Sequence, residues 1–443
     1  MKVAFHTLGC KVNQYETEAM MKDFREKGCE IVDEREFADV YIINTCTVTA
    51  VADRKSRQYI RRMKKVNPDS VIAVTGCYAQ IKPEEVAAVD GVDIVAGTNE
   101  KGRMAEYIAE FMDNHVSQVH IKGYDELDVY EETGTVTSTE NRTRAYIKIQ
   151  EGCNRFCAYC VIPYARGKVR SRLLDEIVRE AEELIAAGYK ELVLTGINTA
   201  LYDMENEHDG SEELYGVEKV IDAINCIKGD FRIRLSSLEP AVVNADYVKR
   251  LLKYDKLCHH MHLSAQSGSD DVLAAMNRPY SRQAYLDIVS VLREFDPCYG
   301  VSTDIIVGFP GEKEKNFDES CSLVRECAFC KTHVFKYSKR PMTIAATMEG
   351  HIDPEVKNRR SDKLHKIGME AAENFFDKNR GRTELVLLEE LYPEKSIATG
   401  YTDNYTRVYI GYEDEHEINK LLNEFVAVKL VEPYEDGMTA VIL

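Results

Sequence analysis

The sequence lacks long apolar segments. None of its apolar runs approaches the roughly 18 residues that a helix needs to cross a bilayer, and residues 1–7 lack the apolar core of a signal peptide. We therefore expect a cytoplasmic protein without membrane contact. Thiols stay reduced in that compartment. The thirteen cysteines, an odd number, are predicted to be metal ligands or buried apolar residues and not a disulfide framework.

Positive charge is also scarce. The chain has 57 Lys and Arg against 75 Asp and Glu, a formal net charge of −18. This balance argues against indiscriminate nucleic-acid binding, so any RNA contact needs a local basic patch. One patch crowds a helical stretch with only Asp53 opposing it: Arg54, Lys55, Arg57, Arg61, Arg62, Lys64 and Lys65. A solvated helix face and contact with RNA phosphates are both open interpretations.

The length of 443 residues predicts about three domains. The predicted segments are a first domain at 1–112, a linker at 113–138, a second domain at 139–371 and a third at 373–443. In the first domain, short apolar runs alternate with helical stretches: Val3–Leu8, Val40–Thr45 and Val71–Gly76. This alternation is typical of an α/β fold with a doubly wound parallel sheet.

A cysteine follows each of these three predicted strands: Cys10, Cys46 and Cys77. Ligand crevices of such sheets lie outside the carboxyl ends of the strands. The three thiols are therefore expected to converge, although they are distant in sequence, and three thiolates could hold an iron–sulfur cluster. The alternative is three buried small apolar residues, because free Cys is commonly buried.

A second set of cysteines is closely spaced. Cys153, Cys157 and Cys160 form a CxxxCxxC triplet just after a β-branched stretch, Ala145–Gln150. Three thiolates can hold three irons of a 4Fe–4S cluster and leave the fourth iron for a small molecule. Structural zinc is the nearest alternative, but it takes four ligands, and no further Cys or His lies near in sequence. The spacing favours an iron–sulfur cluster with one open iron.

The second domain alternates strands and helices again. The predicted strands are Ala145–Gln150, Leu192–Thr195, Arg232–Leu235, Met261–Leu263, Val301–Val307 and Thr332–Tyr337. Six βα units predict a partial (β/α)6 barrel, in which reactive groups lie at the carboxyl ends of the strands. The remaining clustered residues are expected to be core or rim residues: Cys321, Cys327, Cys330, His260 and His262.

The third domain contains five short predicted strands: Thr383–Leu388, Ser396–Gly400, Thr406–Ile410, Phe425–Val431 and Met438–Leu443. They predict a small β-barrel of the oligonucleotide-binding type. From Arg380 onward, however, six Lys and Arg face thirteen Asp and Glu, a net charge of −7. Such a barrel suits RNA only if its few basic residues cluster on one face.

These features resemble a known family. The triplet, with Tyr159 before its last cysteine, resembles that of radical S-adenosylmethionine (SAM) enzymes. Residues 7–16, Thr-Leu-Gly-Cys-Lys-Val-Asn-Gln-Tyr-Glu, resemble the first cysteine motif of the methylthiotransferases. The three-part layout resembles that family from end to end, with a TRAM-like last domain. The resemblance implies a catalytic, radical-generating 4Fe–4S cluster on Cys153, Cys157 and Cys160, and an auxiliary 4Fe–4S cluster on Cys10, Cys46 and Cys77.

The resemblance also implies the chemistry and the cofactor contacts. Methylthiotransferases use SAM as methyl donor and as radical source, and insert sulfur at a C–H bond. The candidate SAM contacts are Gly196, Asn198, Ser236, Glu239, Gln266, Asp304 and Gly308. A polar residue at a strand end is more often a cap or turn former, whereas the two glycines would let the backbone approach SAM closely.

The motif around Cys10 most resembles the branch that acts on N6-threonylcarbamoyladenosine beside tRNA anticodons. This implies tRNA, an electron donor and a sulfur donor as partners. The threonylcarbamoyl carboxylate needs a cation, and the predicted contacts are Arg166, Lys168, Arg170 and Arg172. The alternative role of these four residues is surface solubility. Isopentenyladenosine in tRNA and a ribosomal-protein aspartate stay open as substrates. A non-catalytic iron–sulfur scaffold or electron carrier is the alternative class.

One loop departs from the family pattern. Methylthiotransferases usually have Gly-Thr after a segment like Lys336–Pro341, and this chain has Met342 and Thr343 there. Because Met does not adopt a positive φ cheaply, we expect this loop to differ in shape and its substrate contacts to differ with it.

Overall fold

The computed structural model describes residues 1–134, 143–204 and 214–443. The end of the predicted linker, 135–138, lies outside these ranges. Among the described helices, none is both long and apolar enough to span a membrane.

The first domain is a six-stranded sheet with helices on both faces. Its strand order is β2-β1-β3-β4-β5-β6, and every neighbouring pair is parallel. The strands are β1 Lys2–Thr7, β2 Glu30–Val32, β3 Val40–Thr45, β4 Val71–Gly76, β5 Ile94–Ala96 and β6 Gln118–His120. The helices are α1 Lys11–Glu26, α2 Ala50–Val66, α3 Cys77–Ile81, α4 Pro83–Ala87 and α5 Met104–Asn114.

The central strands β3 and β4 show why this sequence forms a doubly covered sheet. Every residue of both strands is buried, as expected for parallel strands with helices on each face. Alternate side chains enter opposite cores: Ile42 packs with Phe24 of α1, and Ile43 packs with Ile60 of α2. The prediction of a doubly wound parallel sheet is confirmed.

The start of the predicted linker belongs to this sheet. Residues Gln118–His120 form β6, which pairs in parallel with β5. The side chains of β6 are partly exposed, because the strand lies at the sheet edge. A polar three-residue edge strand has no apolar pattern, and only its pairing with β5 defines it.

The second domain is an open barrel made of two four-stranded sheets, ordered β10-β9-β7-β8 and β11-β12-β13-β14. The strands are β7 Arg144–Glu151, β8 Arg170–Ser171, β9 Glu191–Gly196, β10 Arg232–Leu235, β11 Ser237–Leu238, β12 His260–Leu263, β13 Gly300–Val307 and β14 Lys331–Lys336. A parallel bridge between Ile233 and Leu257 joins the two sheets. The six predicted strands β7, β9, β10, β12, β13 and β14 therefore follow one another around the barrel wall.

Helices alternate with these strands along the chain, and several of them pack on the barrel wall. The helices are α6 Ile162–Arg166, α7 Leu174–Ala186, α8 Val217–Asn225, α9 Ala245–Leu251, α10 Asp270–Ala275, α11 Arg282–Phe295, α12 Glu314–Cys327 and α13 Pro354–Asn379. Ile177 of α7, Ile221 of α8 and Val324 of α12 are fully buried in one core with the strands. Cys321 and Cys327 belong to that core, and Cys330 belongs to the core of the third domain.

The third domain is a closed five-stranded barrel with strand order β15-β16-β17-β19-β18. Its elements are β15 Thr383–Tyr392, β16 Ile397–Tyr401, β17 Arg407–Gly411, α14 Glu415–Asn419, β18 Phe425–Tyr434 and β19 Gly437–Ile442. Helix α13 runs across the predicted boundary at 371–373. Leu364 lies in the second domain's core and Phe375 lies in the core of the small barrel, so this helix joins the two domains.

Candidate active site

Cys10, Cys46 and Cys77 lie together at one edge of the first sheet. Cys10 follows β1, Cys46 follows β3 and Cys77 opens α3 directly after β4, and these three strands are neighbours. Burial, together with the nearby thiols of Cys77 and Cys10, raises the pKa of the Cys46 thiol to about 12. Three parallel strands thus bring together thiols that are 67 residues apart at the extremes, as the sequence predicts.

Two glycines let the chain segments that carry the cysteines approach one another closely. Gly9 follows β1, and Gly76 ends β4. Gly9 has φ +116°, and a Cβ there would lie 2.8 Å from Cβ of Cys46. Gly76 has φ +95°, and a Cβ there would lie 2.4 Å from the carbonyl oxygen of Thr45. Both positions require a left-handed backbone and close approach, which only glycine meets without strain.

Arg166 is the charged residue that contacts this cysteine set. Its side chain is fully buried, and its Nε donates to Sγ of Cys77 at 3.2 Å. Its Nη2 donates to Asn13 Oδ1 at 2.5 Å, and its Nη1 donates to Glu16 Oε1 at 2.5 Å and Glu151 Oε1 at 3.1 Å. One guanidinium from the second domain therefore joins α1 and α3 of the first domain to β7 of the second.

Two lysines complete this buried network. Lys101 Nζ lies 3.0 Å from Glu16 Oε2, and Lys148 Nζ lies 2.8 Å from Glu16 Oε1 and also pairs with Glu151. Three cations thus face two carboxylates beside Cys77. The excess positive charge favours the thiolate form of Cys77, which opposes the rise in its pKa that burial causes.

These contacts correct one prediction. Arg166, Arg170 and Arg172 are at most 3% exposed, so they are not surface contacts for a substrate carboxylate. Arg172 pairs with Glu180 and Glu132, and Arg170 donates to the carbonyl of Arg166 at 2.8 Å. A basic run is typical of a protein surface, but here acidic residues from other elements neutralise it. Lys168 is half-exposed and is the one of the four that stays open to solvent.

The CxxxCxxC loop lies at the carboxyl end of β7, between that strand and α6. Burial raises the pKa of the Cys153 thiol to about 11 and that of the Cys160 thiol to about 12. Arg278 Nη1 donates to Cys157 Sγ at 3.3 Å and lies 3.2 Å from Glu239 Oε1. A cation beside a thiol favours the thiolate that binds metal.

Several predicted SAM contacts surround this loop. Glu239 is 3% exposed and accepts from Asn198 Nδ2 at 2.7 Å and from Arg155 Nε at 2.9 Å. Asn198 Oδ1 and Ser236 Oγ are buried and have no hydrogen-bond partner in the described part of the chain. Buried polar atoms without partners are rare and point to a missing ligand.

Gln266 and Asp304 face a smaller cavity of about 220 Å³ that Cys160 also lines. Gln266 adopts φ +62°. Asp304 accepts from Ser264 Oγ at 3.0 Å and lies 3.1 Å from His262 Nε2; although burial alone would raise its pKa, these partners lower it. Its carboxylate is therefore ionised beside the cysteine loop.

Gly308 follows β13 and does not line this smaller cavity. A Cβ at this position would be 2.4 Å from Cγ of Lys357, and its amide donates to Glu312 Oε2 at 2.6 Å. The positive φ of +75° and the close approach to Lys357 of α13 give a reason for glycine here that differs from the predicted backbone approach to SAM.

A larger cavity of about 680 Å³ lies where all three domains meet. The first domain contributes residues 9–12 with Cys10, the open barrel contributes Gly196, Ser236 and Asp304, and the small barrel contributes Tyr401 and Tyr405. Asp304 and Phe335 line both cavities. The two cysteine sets therefore open onto adjoining spaces.

Sequence reasoning missed most of the larger cavity's polar wall. The missed residues are Lys11, Arg234, His333, Lys331 and Arg407. His260 and His262, predicted to be core or rim residues, share Ser302 Oγ at 2.9 Å each and line the same cavity. The sequence shows that these histidines lie close together, but the cavity that they line forms only when the domains pack.

The predicted basic patch lies on α2. Arg54, Lys55, Arg61, Arg62 and Lys65 are exposed. Arg57 pairs with Glu85 at 2.5 Å, and Lys64 donates to the carbonyl of Ser70 at 2.7 Å. The helix begins beside the smaller cavity, which Val48 and Thr49 line.

The loop at Met342 has the backbone that favours glycine. Met342 adopts φ +73° and the residue is 57% exposed. The expectation that Met would avoid this conformation is wrong. Neighbouring Arg340, which pairs with buried Asp53 at 2.8 Å, fixes the loop from the side of the first domain.

The donor sets fit two iron–sulfur clusters and SAM. Three thiols converge at each site, each set has an arginine donating to one sulfur, and Asn198 and Ser236 have buried polar atoms without a partner among the described residues. Cys10, Cys46 and Cys77 would hold one cluster, and Cys153, Cys157 and Cys160 would hold the other with SAM. This fold and this site define a radical SAM enzyme.

Comparison with known proteins agrees with this class. The radical SAM superfamily matches residues 147–324, and a family described as "Uncharacterized protein family UPF0004" matches residues 2–97. A solved structure of the radical SAM methyltransferase TsrM from Kitasatospora setae has a TM-score of 0.57 and 13% identity, covering 78% of this chain and 75% of that one. That likeness concerns the fold alone.

Curated relatives match nearly end to end. The threonylcarbamoyladenosine tRNA methylthiotransferase MtaB of Bacillus subtilis is 42% identical, covering 98% of this chain and 95% of the relative. The protein of the same name from Aquifex aeolicus is 36% identical, covering 96% and 100%. A tRNA-2-methylthio-N6-dimethylallyladenosine synthase of Clostridium botulinum is 34% identical, covering 98% and 95%. The chain belongs to the radical SAM methylthiotransferase family.

Proposed function

We propose that the protein is a tRNA methylthiotransferase that converts N6-threonylcarbamoyladenosine beside the anticodon to its 2-methylthio derivative, in the cytoplasm where tRNA functions. The observation that carries this proposal is the arrangement of the cavities. Cys10 lines the larger one, Cys160 lines the smaller one, and Asp304 and Phe335 line both. A base in the larger cavity would thus lie between the two cysteine sets.

The bound clusters and SAM supply the radical, the methyl group and the sulfur. The chain's own residues bind and orient. The ionised carboxylate of Asp304, held by Ser264 and His262, offers a hydrogen-bond acceptor at the junction of the cavities. Asn198 and Ser236 offer unpartnered polar atoms to SAM, and Gly196 and Gln266, from the cavity walls, complete the predicted contacts.

The aromatic pair Tyr401 and Tyr405 favours a nucleobase in the larger cavity. Their rings are stacked with centroids 5.0 Å apart, and both line the cavity. Unpaired RNA bases are commonly bound by stacking on such rings. The anticodon loop presents its adenosine without the need to open a duplex, so a base that is already unstacked could enter.

The exposed cations of α2 are proposed to contact the tRNA backbone. They lie on a helix that begins beside the smaller cavity, within an otherwise acidic chain. Arg57 and Lys64 are already engaged within the protein, so we assign this contact chiefly to Arg54, Lys55, Arg61, Arg62 and Lys65. An electron donor and a sulfur donor are further partners that the chemistry requires.

The test combines reaction assays with cysteine variants. Reconstituted, reduced enzyme is incubated with SAM, sulfide and tRNA carrying either threonylcarbamoyladenosine or isopentenyladenosine, and separately with small ribosomal subunits. Products are identified by mass spectrometry. Methylthiolation of only the isopentenyl base, which relatives such as that of Clostridium botulinum are named for, or only of ribosomal protein would overturn the proposed substrate.

Iron analysis separates the two sites. We expect about eight irons per chain in the wild type and about four after replacing either cysteine set by Ala. Loss of Cys153, Cys157 and Cys160 should abolish SAM cleavage, whereas loss of the other set should spare some cleavage. Exposed Cys226 is the matched control, and Cys226→Ala should keep full iron. Absence of SAM cleavage in the wild type would favour an electron carrier.

A further inference from the structure

The wall of the larger cavity beside Cys10 carries an amine that has no ion-pair partner in the described part of the chain. Lys11 opens α1 directly after Cys10 and lines the cavity. Within the described ranges, no carboxylate lies within ion-pair distance of its amine. The amine lies over the ring of Tyr146, whose centroid is 6.0 Å away.

The charges behind Lys11 do not neutralise it. Glu191 is fully buried and accepts from Arg232 Nε at 2.6 Å and from Arg234 Nε at 2.8 Å. Arg144 lies 3.6 Å from the same carboxylate and pairs at 2.6 Å with Glu389. Three guanidinium groups therefore already share two carboxylates.

With Lys11 included, the local balance is four cations to two carboxylates. The cations are Lys11, Arg144, Arg232 and Arg234, and the carboxylates are those of Glu191 and Glu389. Arg144, Arg234 and Glu191 all interact electrostatically with the Lys11 amine, so the four cations form one group. Charge held away from water needs a counter-ion. The cavity is therefore suited to an anionic ligand at this wall.

The acids that line the cavity are engaged elsewhere. Asp304 pairs with His262 at 3.1 Å, and Asp436 accepts from Tyr409 Oη at 2.5 Å and lies 3.5 Å from Arg407. Because both carboxylates are already engaged, the anion that pairs with Lys11 has to come from the ligand.

We propose that Lys11 is a specificity-determining residue whose Nζ binds the carboxylate of the threonylcarbamoyl group. This inference rests on the proposed function. The other cavity cations are less suited: Arg407 already has Asp436, and Lys331 is solvent-exposed. Because Lys11 adjoins Cys10, the salt bridge would hold the modified base beside the auxiliary cysteine set.

The test compares ligands that differ in one charge. Anticodon stem-loops carry threonylcarbamoyladenosine, its carboxyl methyl ester, or isopentenyladenosine. Their dissociation constants are measured by anisotropy on reconstituted enzyme with SAM and without reductant, so that no turnover occurs. The variants are Lys11→Gln, Lys11→Arg and Lys27→Gln; Lys27 lies just past the other end of α1 with a half-exposed side chain and serves as the matched control.

We expect the wild type and Lys27→Gln to bind the acid roughly tenfold to a hundredfold more tightly than the ester, the range for a charge-assisted hydrogen bond. Lys11→Gln should lose this preference while its affinity for the ester stays the same, and Lys11→Arg should keep most of it. Because each variant is compared with itself on two ligands, a general folding defect would not mimic this result.

Two outcomes would overturn the inference, and they are distinguishable. If the wild type prefers the acid and Lys11→Gln keeps that preference, another group binds the carboxylate and the proposed function stands. If the wild type itself binds the isopentenyl loop best and ignores the carboxylate, the substrate assignment fails together with the inference.

Discussion

Replacing Arg166 tests whether its buried contacts join the first two domains. The variant Arg166→Gln removes the hydrogen bonds to Cys77, Glu16, Asn13 and Glu151. Removing one partner of a buried ion pair typically costs about 3–5 kcal/mol. We expect the lower end, about 3 kcal/mol, because two lysines still face the two carboxylates.

The assay is thermal unfolding together with iron analysis. A loss of about 3 kcal/mol corresponds to a fall in Tm of roughly 6–12 °C for a domain of about 150–250 residues. Arg166 also opposes the burial that raises the pKa of the Cys77 thiol, so its loss weakens a metal ligand. We therefore expect iron to fall from about eight per chain toward about four.

Lys168→Gln is the control, since this residue is two positions away and half-exposed. It should change stability by less than about 0.5 kcal/mol and keep all iron. If Arg166→Gln kept both the Tm and the iron content of the wild type, the buried network would not carry the role assigned to it.

Three further changes test separate features. Gly76→Ala forces a side chain into φ +95° and to 2.4 Å from the Thr45 carbonyl; it should cost at least about 1–2 kcal/mol with loss of iron, and unchanged melting would contradict the close packing. Charge reversal of Arg61 and Arg62 on α2 should lower the slope of log affinity for tRNA against log salt by about one unit for each phosphate that the helix no longer binds, whereas an unchanged slope would make this helix a plain solvated face. Met342→Gly relieves φ +73°, a strain of about 1–2 kcal/mol partly offset by glycine's entropy, so urea unfolding should show up to about 1 kcal/mol of gain; a loss would mean that the Met side chain contributes more than its exposure indicates.

The sequence by itself determined the order of elements and the cysteine sets. The strands β3 and β4 match their predicted bounds, because buried parallel strands are nearly continuous apolar runs bounded by turn residues. The convergence of Cys10 with two distant cysteines also followed from sequence, since the carboxyl ends of adjacent parallel strands lie at one sheet edge.

Tertiary structure alone decided the roles of the charged residues. Arg166 and Lys11 are both basic residues beside a cysteine motif, yet one is buried in an ion-pair network and the other lines a cavity without an anionic partner among the described residues. That difference depends on which domain packs against each side chain. Residue type and local pattern do not encode it, because one of the two acids that neutralise Arg166, Glu16, lies 150 residues away in the sequence.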